Sequence, residues 1–222
     1  VPQVLPYPDR YSKAHWIADH GIDFLKRRDG DRPFFLGLHF SKPHPPFPVP
    51  FPWHYLYRGP EMPYPIRPGN FREYQTWSNR YQNRYKWMED ACERGDDMLL
   101  RTVRAAYYAL VSYVDCQVGR VLEELGSEVD NTLIVFTSDH GEMLGDYGCV
   151  GKRCMLEASC RVPLIAVWPG ALSEGKDCRA PASLLDLFPT YCDLAGIPVP
   201  EACEEGVSLR EVAEKNAGDR VV

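Results

Sequence analysis

TLIVFTSDHGEMLGDYGCVGK, Thr132–Lys152, is the stretch that decides how the rest of this chain is read. Its β-branched, apolar start, Thr132 to Phe136, predicts a buried strand. Ser138-Asp139-His140-Gly141-Glu142 ends that strand abruptly with an acid, an imidazole and a glycine. An α/β fold delivers polar ligands in this way, at the carboxyl edge of its sheet.

The flanks agree with an α/β reading. Upstream, Leu100, Val103, Tyr107, Leu110, Val111, Val114, Val118, Val121, Leu122 and Leu125 recur at helical spacing and predict one long helix over 97–125, ended by Gly126. Ala14, Ile17, Ala18, Ile22 and Leu25 predict an earlier helix over 12–28, with Gly30 as a stop signal. Phe34 to Phe40 is a near-continuous apolar run and is expected to be a buried strand. Leu164 to Val167, bracketed by Pro163 and Pro169, reads as a short strand. Pro189 and Gly196 frame a short final helix. Strands alternating with helices predict a mixed, largely parallel sheet flanked by helices. Ten of the 20 prolines fall between Pro43 and Pro68, which argues against helix and central strand there. Phe47, Phe51, Trp53, Tyr55 and Tyr57 in that loop either line a cleft or pack the loop down.

Bulk properties exclude some functions. A net charge of −6 with no basic run argues against nucleic acid as a partner. No apolar stretch approaches the roughly 20 residues that span a bilayer. The 8 cysteines form no Cys-x-x-Cys pair, so a zinc ribbon is not expected. They read as free thiols, which leans toward a reducing compartment. The chain starts at Val1 rather than Met, so cytoplasmic and exported locations both stay open.

Asp139 and His140 at a strand end have the chemistry of metal ligands, but two groups cannot hold a hard cation alone. By spacing, Asp139 is more simply the acceptor of an Asx turn. His44, in Lys42-Pro-His-Pro-Pro46, is aimed by the prolines around it, or is a plain surface histidine. Lys152 is a solvated charge or a cation placed against an anionic oxygen. Glu157 and Arg161 have the spacing of a helical ion pair. Asp146 reads as a solvated loop acid rather than a group supporting a metal site.

Taken in order, several segments resemble the sulfatases of the alkaline phosphatase superfamily. They are Pro33-Phe-Phe-Leu36 with Lys42-Pro-His-Pro45, Tyr107-Tyr-Ala109 with Val111-Ser-Tyr-Val-Asp115, and Gln117-Val-Gly-Arg-Val-Leu122. They continue through Asp130 to Glu142, Gly151-Lys152, Arg161 to Ile165, Pro169-Gly170, Asp186 to Thr190 and Asp193 to Ile197. The setting of His44 and the Asp-His pair look most like the iduronate-2-sulfatase and choline-sulfatase branch. The resemblance covers nearly the whole chain and leaves the region 53–96 unmatched.

The resemblance implies a sulfuric ester hydrolase acting on a small sulfated substrate such as a sugar, aryl or choline-like sulfate ester. It implies Asp139 and His140 as ligands of a divalent metal, usually calcium, with His44 and Lys152 as catalytic and substrate-binding groups. The family's nucleophile is a formylglycine made within Cys-x-Pro-x-Arg or Ser-x-Pro-x-Arg, and neither motif occurs in these 222 residues. The expectation is therefore a single partial catalytic domain over 1–222, without the N-terminal strands and C-terminal subdomain of the family, and inactive in isolation. A phosphate or phosphonate ester hydrolase of the same superfamily and a non-catalytic binding module are the alternatives.

Overall fold

A computed structural model describes residues 3–172, 174–203 and 205–211. The described chain divides into two compact units, 1–168 and 169–222. In the first, strand β1 (Gln3–Pro8) leads to helix α1 (Lys13–Arg27). Strand β2 (Pro48–Phe51) pairs parallel to β1, with Val4 opposite Val49. Helices α2 (Trp77–Tyr85) and α3 (Glu89–Arg94) precede the long helix α4 (Asp97–Leu125). Strand β3 (Ile134–Thr137), the short helix α5 (Glu157–Cys160) and strand β4 (Leu164–Val167) complete the unit. β4 lies antiparallel to β3.

α4 is the spine. Asp96 caps its start by accepting from the Leu99 N–H at 3.0 Å, and Gly126, at φ +55°, ends it where a side chain would be strained. The apolar stripe expected from the sequence supplies Leu100, Val103, Leu110, Val114, Val121 and Leu125 to the interior, while Val111 and Leu122 stay exposed. Leu100 and Val103 meet Met88, Ala91, Cys92, Leu144 and Val150 in one apolar cluster. Ala106, Ala109 and Leu110 meet Val49 in a second, covered by Phe47, Trp53 and Tyr57. Three of the five loop aromatics thus pack the proline-rich segment onto α4, whereas Phe51 and Tyr55 are exposed. α1 is tied to the same spine where Arg120 donates to Asp19 at 2.6 Å and the Tyr113 hydroxyl donates to the Asp9 carbonyl at 3.0 Å.

The α/β class is as expected, and α1, α4 and the two short strands β3 and β4 fall where the sequence places them, whereas α2 and α3 were not expected. Two features differ. The sheets among the described residues are two small pairs, one parallel and one antiparallel. Phe34 to Phe40 forms no strand. Its side chains still alternate, with Phe34, Leu36, Leu38 and Phe40 half-buried and Phe35 78% exposed. Apolar composition sets that alternation, but a strand also needs a neighbouring ladder, and the described ladders are those of β1 with β2 and β3 with β4. Within the proline-rich segment, β2 is a strand after all. A two-stranded pair has only edges, where proline is tolerated.

In the second unit, helix α6 (Leu187–Ala195) ends at Gly196, φ +66°. Buried Asp186 accepts from the Ser183 N–H at 2.7 Å and the Val207 N–H at 3.0 Å, tying both sides of that helix together.

Candidate active site

β3 runs straight into the polar residues. The Ser138 hydroxyl donates to the His140 carbonyl at 2.9 Å, and the His140 N–H donates to Asp139 Oδ1 at 3.0 Å. The next residue must be glycine, because a Cβ on Gly141 would lie 2.0 Å from the Ala158 carbonyl oxygen. Its N–H donates to the Ser159 carbonyl at 2.8 Å, locking the turn onto α5.

The imidazole of His140 is oriented by the chain itself. Nδ1 lies 2.9 Å from the Gly141 carbonyl oxygen, so it carries the proton. In the neutral ring Nε2 then presents a lone pair, 3.4 Å from Asp139 Oδ2. Two electron-pair donors, one carboxylate and one imidazole, thus face the same space. A ring N–H tied to a backbone carbonyl is how metal-binding histidines are commonly held. The pair fits part of a divalent cation site. Among the described residues no group of three or more His, Cys, Asp and Glu side chains could hold a metal.

His44 reaches the same place from a distant part of the chain. Its ring centroid is 6.2 Å from that of His140. Nδ1 donates to the Pro45 carbonyl at 2.6 Å, which leaves Nε2 to take or give a proton. Lys42 ties the turn by donating to the carbonyls of His44 at 3.2 Å and Pro46 at 2.7 Å. Burial, and Lys13 nearby, hold the Lys42 pKa below its ordinary value. The cleft so formed, about 200 Å³, is lined by Lys42, His44, Tyr107, Asp139, His140 and Glu142 among others.

Lys152 is not among the lining residues. It follows directly on Gly151, whose N–H donates to the Glu142 carboxylate and whose carbonyl accepts from the Met143 N–H at 2.8 Å. Lys86 Nζ stands 3.9 Å from the other Glu142 oxygen. Burial lowers the Lys86 pKa against the pull of Glu142, and the charges of Lys152 and Arg153 lower it further. Burial also raises the Tyr107 pKa, with Glu142 adding to the shift.

The structure therefore brings His44, Asp139 and His140 together and leaves Lys152 outside the cleft lining, next to Gly151, which is bonded to Glu142 of the wall. The sequence reading missed Lys42, Glu142 and Tyr107 as lining groups. Lys42 and Glu142 sit inside the segments it had singled out, so adjacency was the available signal. Lys86 carried none. Asp146 is corrected. It is not solvated, but pairs with the buried Arg104 guanidinium and accepts from the Ile66 N–H at 2.7 Å. Arg104 Nε also donates to the Leu144 carbonyl at 3.0 Å. Glu157 and Arg161 do form the expected exposed ion pair, at 3.2 Å. All 8 cysteines are free thiols. No described helix is long and apolar enough to cross a membrane.

Residues 5–197 match the family model described as Sulfatase. An arylsulfatase of Clostridium perfringens is 32% identical over 94% of this chain and 43% of its own length. A choline-sulfatase of Rhizobium meliloti is 35% identical over 87% of this chain and 38% of its own. Iduronate 2-sulfatases are also among the relatives, so both enzymes named for the branch are represented. Among solved structures, a phosphonate monoester hydrolase of Silicibacter pomeroyi superposes with a TM-score of 0.80 at 30% identity, over 97% of this chain and 44% of its own. The chain spans less than half the length of these relatives.

Proposed function

The chain belongs to the sulfatase family, and on that premise we propose that it forms part of a metal-dependent sulfuric ester hydrolase acting on a small sulfated substrate. The observation that carries the reading is the meeting of His44 with Asp139 and His140 in one cleft, each imidazole held through Nδ1 by a backbone carbonyl.

Asp139 and His140 would hold a divalent cation together with ligands from outside this chain. Bound there, the cation would polarise a sulfate oxygen and neutralise its charge. Calcium is the ion expected from the family resemblance, while an imidazole donor favours manganese or zinc. His44, with Nε2 open, is placed to pass a proton to the leaving oxygen. Lys152 supplies a fixed positive charge for the anion. The nucleophile is assigned to a formylglycine outside these 222 residues, so the chain alone should not turn over.

The test compares an aryl sulfate with an aryl phosphonate monoester, using a full-length enzyme containing this chain and reconstituted with calcium, manganese or zinc. A higher kcat/KM for the sulfate supports the reading. The reverse preference favours the phosphonate hydrolase, a reading supported by the likeness to the Silicibacter pomeroyi enzyme. Metal-dependent aryl sulfate hydrolysis by the 222-residue chain alone would overturn the assignment of the nucleophile.

A further inference from the structure

We propose that α2 is the positioning element for Lys152, with Asn83 at its centre; the inference rests on the role given to Lys152 above. α2 is built inside out. Asn79, Gln82 and Asn83, with Gln75 just before the helix, are buried, whereas Trp77, Tyr81 and Tyr85 stand on the surface. Burying an amide is costly unless its donors and acceptors are met. Here the Asn83 amide and the donors of Gln75 and Asn79 are met by one segment, 147–152, while Gln75 Oε1 is buried without a hydrogen-bond partner.

Asn83 is 1% exposed and uses both ends of its amide. Nδ2 donates to the Gly148 carbonyl at 2.7 Å, and Oδ1 accepts from the Val150 N–H at 3.0 Å. Gln75 Nε2 donates to the carbonyls of Tyr147 and Gly148 at 3.1 and 3.0 Å. Asn79 Nδ2 donates to the carbonyl of Lys152 itself at 3.3 Å. Gln82 closes on Gly151 so tightly that a Cβ there would lie 1.7 Å from its Oε1. From the other side the Glu142 carboxylate accepts from the Gly151 N–H, and the Gly151 carbonyl accepts from the Met143 N–H. Glu142 is itself part of the cleft wall.

The backbone before and at Lys152 is thus gripped between α2 and the wall that carries the metal ligands. A lysine side chain is long and flexible, and its value as a charge clamp depends on where its Cα is fixed. A misplacement of about 1 Å costs on the order of 100-fold in rate. An amide grip supplies that fixing without placing a second charge beside the anion.

The experiment is a double-mutant cycle in the full-length enzyme, with Asn83→Ala, Lys152→Ala and the pair, reading kcat/KM on an aryl sulfate. Asn83→Ala is expected to lower kcat/KM about 10- to 100-fold in the wild-type background and less than about twofold once Lys152 is gone. Gln75→Met, close in volume and lacking the donor, is the second variant should Asn83→Ala not fold, and the same coupling is expected of it. Equal losses in both backgrounds, or no loss in either, would overturn the positioning role while leaving the proposed function intact. An unchanged kcat/KM in Lys152→Ala would instead remove Lys152 from the reaction, and the inference with it.

Discussion

The two ends of the motif loop are held by opposite means. At the Asp139–His140 end the side chains are satisfied by their immediate neighbours, and Asp139 is 83% exposed. At the Leu144–Lys152 end the backbone is gripped by buried groups from α2 and α4, most of them more than 40 positions away in sequence. The first arrangement leaves the Asp139 carboxylate and the His140 Nε2 turned outward. The second spends polar groups on rigidity before any ligand arrives. On the proposed reading, one loop thus joins an end that would receive a ligand to an end that supplies a fixed reference.

The strongest way to break this comparison is to remove Arg104. Arg104→Ala leaves the Asp146 carboxylate and the Leu144 carbonyl without their buried partner. We expect a loss of about 3–5 kcal/mol, measured by urea unfolding. Asp139→Ala, at the open end, should change metal-free stability by less than about 0.5 kcal/mol. Similar costs for the two variants would erase the distinction.

Function should sort the other way. In the full-length enzyme Lys152→Ala is expected to lower kcat/KM by about 100-fold through lost charge stabilisation, with little change in melting temperature. A fall in stability that accounts for the lost activity would make Lys152 structural. The open end should in turn respond to metal. At about 100 times its Kd, a divalent cation should stabilise the full-length enzyme by about 2.7 kcal/mol, and Asp139→Ala should abolish the gain. A gain that survives in Asp139→Ala would place the ion elsewhere.

The smallest test sharpens the boundary without altering it. Burial pushes the Cys149 thiol, inside the gripped half, up to about 12, and likewise that of Cys92 beneath it. Alkylation of the native protein at pH 8, read by mass spectrometry, should label exposed Cys116, Cys160 and Cys178 and spare Cys92 and Cys149. Early labelling of Cys149 would mean that the grip opens easily.

Much of this was legible in the residues. The period of α4 and the spacing of Ala14, Ile17, Ala18, Ile22 and Leu25 in α1 placed both helices within a residue or two. The strand end at Ser138 and the turn at His44 were each visible as local patterns, but it was the family resemblance, not the patterns, that placed His44 and the Asp139–His140 pair in one site. The grip was not legible. Its partners are separated by more than sixty positions for Asn83, and amides next to aromatics on a helix read as an ordinary wet face. The periodicity of α2 was present, but which side faced inward depended on backbone acceptors that no pattern announces. The open run at Phe34 to Phe40 misled for the converse reason: its composition was that of a strand, and strand formation belongs to the neighbour as much as to the run.

The outward face of α2 has an optical consequence. Trp77 and Tyr81 stack at 5.5 Å with planes 18° apart, and Tyr81 and Tyr85 at 6.2 Å with planes 12° apart. Chromophores at such distances couple, so the ladder should contribute to the near-ultraviolet dichroism, beside the Trp53–Tyr113, Tyr57–Tyr108 and Tyr74–Tyr147 pairs, and Tyr81→Leu should remove its share. The residues that hold the lysine face inward, and their state can be followed in light from the residues that face out.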